Sequence, residues 1–244
     1  MKICIDAGHR NNQYDFGATG NGYKESALAL QIALKVEKVF HSLGHTTFLT
    51  RRTENDLISV NARPQKAKAQ KCDWFISIHL NAATPSAHGV EALYRTQQKT
   101  AATMSAELSK ATGFRDRGAK YRTDLGVLNG FDKAVLVECG FISNPSESKQ
   151  LADSAFQDKV ANAIVEGFLK AQGITVAPAA PSGKAKQVQD KYAFSDDTMA
   201  YLSAYKFADA LFDGLLVKKP LSDATLAYIK AYKFGQNVLD RVYK

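Results

Sequence analysis

Trp74-Phe-Ile-Ser-Ile-His79 decides the reading of this chain: a mostly apolar run of strand-forming residues ends in an imidazole. Four other β-rich runs, Lys2–Asp6, Thr46–Thr50, Val90–Tyr94 and Ala134–Glu138, are separated from it by longer helical stretches. Glu25–Leu43 places Leu28, Ile32, Val36, Val39 and Leu43 close to helical spacing, and Gly44 stops it. Ser59–Lys71, Thr100–Thr112 and Ser146–Gln172, the last closed by Gly173, read as further helices. This alternation predicts an α/β domain over residues 1–174, with a twisted, mostly parallel sheet flanked by helices.

Beyond that domain, Thr175-Val-Ala-Pro-Ala-Ala-Pro-Ser-Gly-Lys-Ala-Lys186 breaks every periodicity, so a linker is expected over 175–189. Residues 190–244 then carry an internal repeat. Ser195-Asp-Asp-Thr-Met-Ala-Tyr-Leu-Ser-Ala-Tyr-Lys-Phe207 recurs as Ser222-Asp-Ala-Thr-Leu-Ala-Tyr-Ile-Lys-Ala-Tyr-Lys-Phe234. Each copy opens on Ser-Asp, good chemistry for a helix start, and lays an apolar stripe along one helical face. Tyr201, Tyr205, Ala208, Phe212 and Leu215 form the first stripe; Tyr228, Tyr232, Gly235, Leu239 and Val242 form the second. A small all-α repeat module of two amphipathic helices joined near Pro220 is expected.

The chain has 244 residues, 45% hydrophobic and 23% charged, which excludes a mainly disordered or collagen-like protein. No stretch reaches the roughly 18 apolar residues of a membrane span. Met1-Lys-Ile-Cys-Ile-Asp6 turns acidic before an apolar secretory region forms, so the protein is expected to be made in the cytoplasm without a signal peptide. Its three cysteines, Cys4, Cys72 and Cys139, lie inside apolar runs and read as free thiols. The net charge of +8 suits a polyanion, but the lysines are scattered and no nucleic-acid motif is present, so an anionic cell wall fits as well.

Four polar residues stand where an α/β sheet gathers its ligands, just past the carboxyl ends of its strands. His9 follows the first strand, His79 and Glu138 end two others, and Glu25 opens the first long helix. Two imidazoles and a carboxylate are a standard ligand set for catalytic Zn²⁺ that leaves a fourth position for water. A second, unligated carboxylate would serve as general base and acid in amide hydrolysis. Glu138, directly after four apolar residues, is costly to bury without a partner or a task. His41, His45 and His88 read as structural, and Cys139, with a strand neighbour's side chain on the opposite face, reads as core.

Asp6-Ala-Gly-His9, Asp15-Phe-Gly-Ala-Thr-Gly20, Glu25, Leu49-Thr-Arg51, Phe75-Ile-Ser-Ile-His-Leu-Asn-Ala82, Gly89-Val-Glu91 and Leu136-Val-Glu-Cys-Gly-Phe-Ile-Ser-Asn144 together resemble the ordered motifs of type 3 zinc-dependent N-acetylmuramoyl-L-alanine amidases. The resemblance covers about residues 1–174. It implies one Zn²⁺ per chain held by His9, Glu25 and His79, with Glu138 catalytic in cutting the sugar–peptide amide of peptidoglycan. Arg51, Arg63 and Asn81 also match recurrent positions, which makes them candidates for substrate contact. With its linker and C-terminal module, the chain resembles phage lysins, which lyse the wall after release across the membrane. The module is then expected to bind a wall polymer or to form a homodimer. A zinc peptidase acting within the stem peptide, and a wall-binding protein with a degenerate site, are the alternatives.

Overall fold

The computed structural model describes residues 1–10, 15–174, 183–203, 208–217, 220–231 and 235–243. Its backbone forms two compact units, Met1–Thr175 and Val176–Lys244.

The first unit is built on a six-stranded sheet in the order β4-β1-β5-β8-β6-β7. These strands are β1 (Lys2–Ala7), β4 (Thr46–Leu49), β5 (Trp74–Asn81), β6 (Val90–Tyr94), β7 (Asp116–Tyr121) and β8 (Ala134–Phe141); β2 (Thr19–Gly20) and β3 (Tyr23–Lys24) form a separate hairpin. Strands β4, β1, β5 and β8 pair in parallel, whereas β6 joins β8 antiparallel and carries β7 parallel to itself. The sheet is thus mostly parallel, and helices cover both faces, as the near-continuous apolar character of its central strands requires.

Helices α1 (Glu25–Ser42), α3 (Gln98–Thr112) and α6 (Ser154–Ala171) pack together on one face. There the fully buried Phe168 ring meets Phe40 and Trp74 edge-on, with centroids 5.7 and 5.2 Å away. On the other face, α2 (Ala62–Ala69) and α4 (Gly126–Gly130) close a core of Cys4, Phe75, Leu128, Phe131 and Leu136. Cys4 and Cys139 are buried free thiols, and Cys72 is partly buried.

Three local expectations need correction. The stretch Ser146–Gln172 is two helices, α5 (Pro145–Leu151) and α6, because two caps interrupt it. Asn144 accepts from the backbone N–H of Ser146 and Glu147, and Asp153 accepts from that of Phe156, so each side chain starts its own helix. The helix read from Ser59 begins only at Ala62. Strand β7 was not expected, since this partly exposed edge strand, Asp-Arg-Gly-Ala-Lys-Tyr, has no alternating apolar face.

The second unit holds five helices among the described residues: α7 (Gly183–Tyr192), α8 (Asp196–Ser203), α9 (Ala208–Leu216), α10 (Asp223–Lys230) and α11 (Gly235–Tyr243). Helix α7 occupies part of the segment read as linker, because Val188 and Tyr192, one turn apart, join the buried core of this unit. Each repeat copy, read as one helix, contributes two. A single straight helix would leave half its stripe in water, and two short ones enclose a shared core of Met199, Leu202, Phe212, Ile229 and Leu239. Tyr205 and Tyr232 lie outside the described residues.

The two copies meet through equivalent residues. The rings of Tyr201 and Tyr228 stack at 4.6 Å, and each hydroxyl donates to the other's backbone carbonyl at 2.6 Å. These tyrosines of the two apolar stripes are thus engaged with each other. No described helix is long and apolar enough to cross a membrane.

Candidate metal centre

The sheet brings the separated donors together. The β1–β5 ladder ends at Ala7 opposite Ile78, and Gly8 makes one last backbone bond to the Ile78 carbonyl at 2.9 Å. His9 follows with φ 57°, a left-handed conformation uncommon outside glycine. The β2–β3 hairpin leads directly into Glu25, the first residue of α1. His79 lies on β5, in register with Glu138 of β8.

Donor atoms of His9, Glu25 and His79 all lie within 4.8 Å of one another. Glu25 is 4% exposed and sits between the rings, with Oε1 2.9 Å from His79 Nδ1 and Oε2 3.2 Å from His9 Nε2. The same two oxygens accept from the backbone N–H of Leu80 and Ala18, at 3.0 and 2.8 Å, which fixes the carboxylate plane. His9 is oriented from behind by Asp15, whose Oδ1 is 2.7 Å from Nδ1, the outer-sphere arrangement usual for a metal-binding histidine.

Two glycines make room. A Cβ on Gly8 would lie 2.5 Å from the His79 ring, and one on Gly17, where φ is +70°, would lie 2.6 Å from both Glu25 Oε2 and the His9 ring.

Burial opposes ionisation of Glu25, but His79 and His9 hold it well below the usual carboxylate range. Burial likewise opposes the charged form of His9, and Glu25 and then Asp15 raise its pKa to about 9. The pocket thus favours positive charge beside Glu25. Two imidazoles and a carboxylate converging there fit a divalent cation with nitrogen and oxygen preferences.

Glu138 is the opposite case. Its pKa is raised to about 7, chiefly by burial, with His79 lowering it and Glu25 and Glu91 raising it. Its Oε2 is enclosed and has no hydrogen-bond partner among the described residues. Across the antiparallel register from Glu138 stands Glu91, whose carboxylate is held by Arg117 Nε at 2.7 Å and Asn81 Nδ2 at 2.9 Å.

The four residues singled out as ligands and acid–base therefore gather at one place. Of the three residues expected to contact substrate, two are buried and one is partly exposed. Arg51 and Arg63 are 1% and 2% exposed, with their guanidinium groups directed at backbone carbonyls. The Asn81 amide is engaged by Glu91 and by the backbone N–H of Ala82. His41 and His88 bond locally to Thr47 and to the Ser86 carbonyl.

Asp6, Asp15 and Glu91 were part of the quoted motifs but had no assigned role. Asp6 carried the signal that singled out Glu138, a carboxylate ending an apolar strand. Asp15 and Glu91 had none: Asp15 sits in a loop six residues from its partner His9, with no periodicity to mark it, and Glu91 finds its arginine partner on the unforeseen strand β7.

Residues 3–170 match a family model described as N-acetylmuramoyl-L-alanine amidase. The endolysin of Bacillus phage SPP1 is 33% identical over 228 residues, covering 85% of this chain and 81% of that protein. N-acetylmuramoyl-L-alanine amidase LytC of Bacillus subtilis is 34% identical over 172 residues, 68% of this chain and only 34% of its own length. Among solved structures, the catalytic domain of CwlV, an N-acetylmuramoyl-L-alanine amidase from Bacillus (Paenibacillus) polymyxa, superposes with a TM-score of 0.66 at 31% identity, over 71% of this chain and 99% of that one.

The raised pKa of Glu138 has a measurable consequence in metal-free protein. The folded state binds this proton more tightly than the unfolded chain does, so wild-type stability should fall as pH rises from about 4.5 to about 7. Glu138→Gln should remove that decline. In urea titrations the metal-free variant should match wild type at pH 4 and exceed it at pH 8, on the order of a few kcal/mol. Parallel pH profiles for the two proteins would show that the Glu138 carboxyl is not desolvated.

Proposed function

The chain belongs to the N-acetylmuramoyl-L-alanine amidase family, and from that membership we propose that it hydrolyses the amide bond between N-acetylmuramic acid and L-alanine in peptidoglycan, with one zinc ion held by His9, Glu25 and His79. The observation that carries this reading is the placement of an unpartnered Glu138 oxygen beside a convergent His–Glu–His donor set. A zinc ion bound there supplies Lewis acidity, which polarises a carbonyl and makes water more acidic.

The chain's own residues supply the rest. Glu25 and the two histidines provide the donors, and Asp15 holds the His9 ring in its plane. Glu138 takes a proton from the attacking water as the new C–O bond forms at the lactyl carbonyl. It returns that proton to the alanine nitrogen as the C–N bond breaks. A carboxyl with a pKa near neutral is suited to both steps.

Residues 190–244 are proposed to localise the enzyme on the wall, by binding a wall polymer or through dimerisation. The repeat encloses a core of its own, and the match to the SPP1 endolysin extends past the first unit. Action on the wall after release from a host cell, as by a phage lysin, is part of the same proposal.

Digestion of defined peptidoglycan followed by mass analysis should reveal new L-alanine amino termini and free lactyl carboxyl groups. Cleavage within the stem peptide, with the sugar–peptide amide left whole, would refute the assignment. Glu138→Ala should retain zinc but lose about 10²–10⁴-fold in turnover, the scale of a general acid–base. Near-normal turnover in the folded, zinc-loaded variant would make Glu138 structural. Truncation after Gly173 should leave hydrolysis of soluble wall fragments intact and weaken sedimentation with whole walls; undiminished sedimentation would remove the localising role.

A further inference from the structure

We propose that Arg51 and Arg63 form a buried clamp that sets the geometry of the metal donors, acting as positioning residues for the site rather than as substrate contacts or general supports of the fold. This rests on the zinc reading above and concerns what makes that site bind.

Three consecutive backbone carbonyls beyond the reach of the sheet ladder are all held by guanidinium groups. Arg51 donates from Nε to the Ala7 carbonyl at 3.0 Å and from Nη2 to the Gly8 carbonyl at 2.8 Å. Arg63 donates from Nη1 to Ala7 at 2.8 Å and from Nη2 to His9 at 2.7 Å. The clamped segment carries His9 in its left-handed conformation, a state that persists only where the surroundings over-determine it.

The clamp also reaches the other two donors. Arg51 Nη2 donates to the Ser26 carbonyl at 2.6 Å, the residue directly after Glu25, so one guanidinium ties the backbones of two donors together. Asp6 accepts from Arg63 at 2.8 Å and from Ser77 Oγ at 2.6 Å, two residues before His79 on β5. Asp6 further accepts from Thr50, the neighbour of Arg51, at 2.6 Å. Each donor-bearing segment is therefore linked to this one network.

A planar fork reaches carbonyls on separate segments from several nitrogens held in one rigid plane; a lysine ammonium has its three donors on one atom at the end of a flexible stem and cannot span the same set. Losing the fork should free His9 to relax toward an ordinary conformation and move its ring away from Glu25. Arg52 is a neighbour outside the clamp: itself exposed, it pairs with the buried Glu37 and touches none of the donor-bearing segments.

The test is zinc affinity of the full-length, metal-free chain, measured by competition with a chromophoric chelator and accompanied by circular dichroism. Arg51→Lys and Arg63→Lys should remain folded and bind zinc about 10–100-fold more weakly, the usual effect of losing outer-sphere support. Arg52→Lys should bind as wild type does. In a His9→Ala background, the loss caused by Arg63→Lys should shrink, since the donor that this arginine holds directly is gone. The clamp is overturned if the folded lysine variants bind zinc like wild type, or if the Arg63→Lys loss persists undiminished without His9. Unfolding of both lysine variants would also overturn it, because the arginines would then hold the fold and not the site. A wild-type chain that binds no zinc would instead bring down the metal assignment itself, a failure that the wild-type titration alone identifies.

Discussion

A carboxylate with no solvent exposure remains charged inside a protein only when several partners replace its water, and Asp6 is that group here. Burial opposes its ionisation; Arg63, the largest opposing influence, together with Ser77 and Thr50, holds its pKa below the ordinary value. The partners come from β5, from the end of β4 and from α2, so one desolvated charge joins the elements that surround the crevice. It does so where β1 leaves the ladder and the backbone would otherwise lack bonds. The protein places its chemistry at this point, in keeping with the habit of parallel sheets to gather ligands at their carboxyl ends.

Two other carboxylates show how environment divides the work. Glu25 lies between two imidazoles and two backbone N–H donors, which keep it charged despite burial. Glu138, in register with His79 on the next strand, has an oxygen with no donor among the described residues, and its pKa climbs to about 7. The first is suited to hold a cation and the second to hold and release a proton, and pairs driven apart in this way mark acid–base sites. The Arg117–Glu91 pair adds order on the far side of Glu138, supplied by a strand that the apolar pattern does not reveal.

Much of this was legible in the sequence because burial leaves a pattern. Strands covered on both faces read as apolar runs, so β1, β5 and β8 were found along with the polar residues at their ends. The family motifs supplied the step from four scattered residues to one site. Partnership was not legible. Arg51 and Arg63 look in sequence like free cations, and only the fold shows their charges turned inward onto backbone carbonyls. The caps Asn144 and Asp153, which split one apparent helix into two, were hidden in a stretch whose composition is helical throughout. In the second unit, the repeat was plain, but neither its fold into paired short helices around a shared core nor the contact between Tyr201 and Tyr228, residues 27 positions apart, could be read from it.

X-ray absorption at the zinc edge of the purified, active protein tests the central claim most directly. The account predicts one zinc per chain in a nitrogen and oxygen shell at about 2.0–2.1 Å, with imidazole scattering that diminishes in His79→Ala. A shell containing sulfur at about 2.3 Å, or active protein with no bound metal, would contradict it.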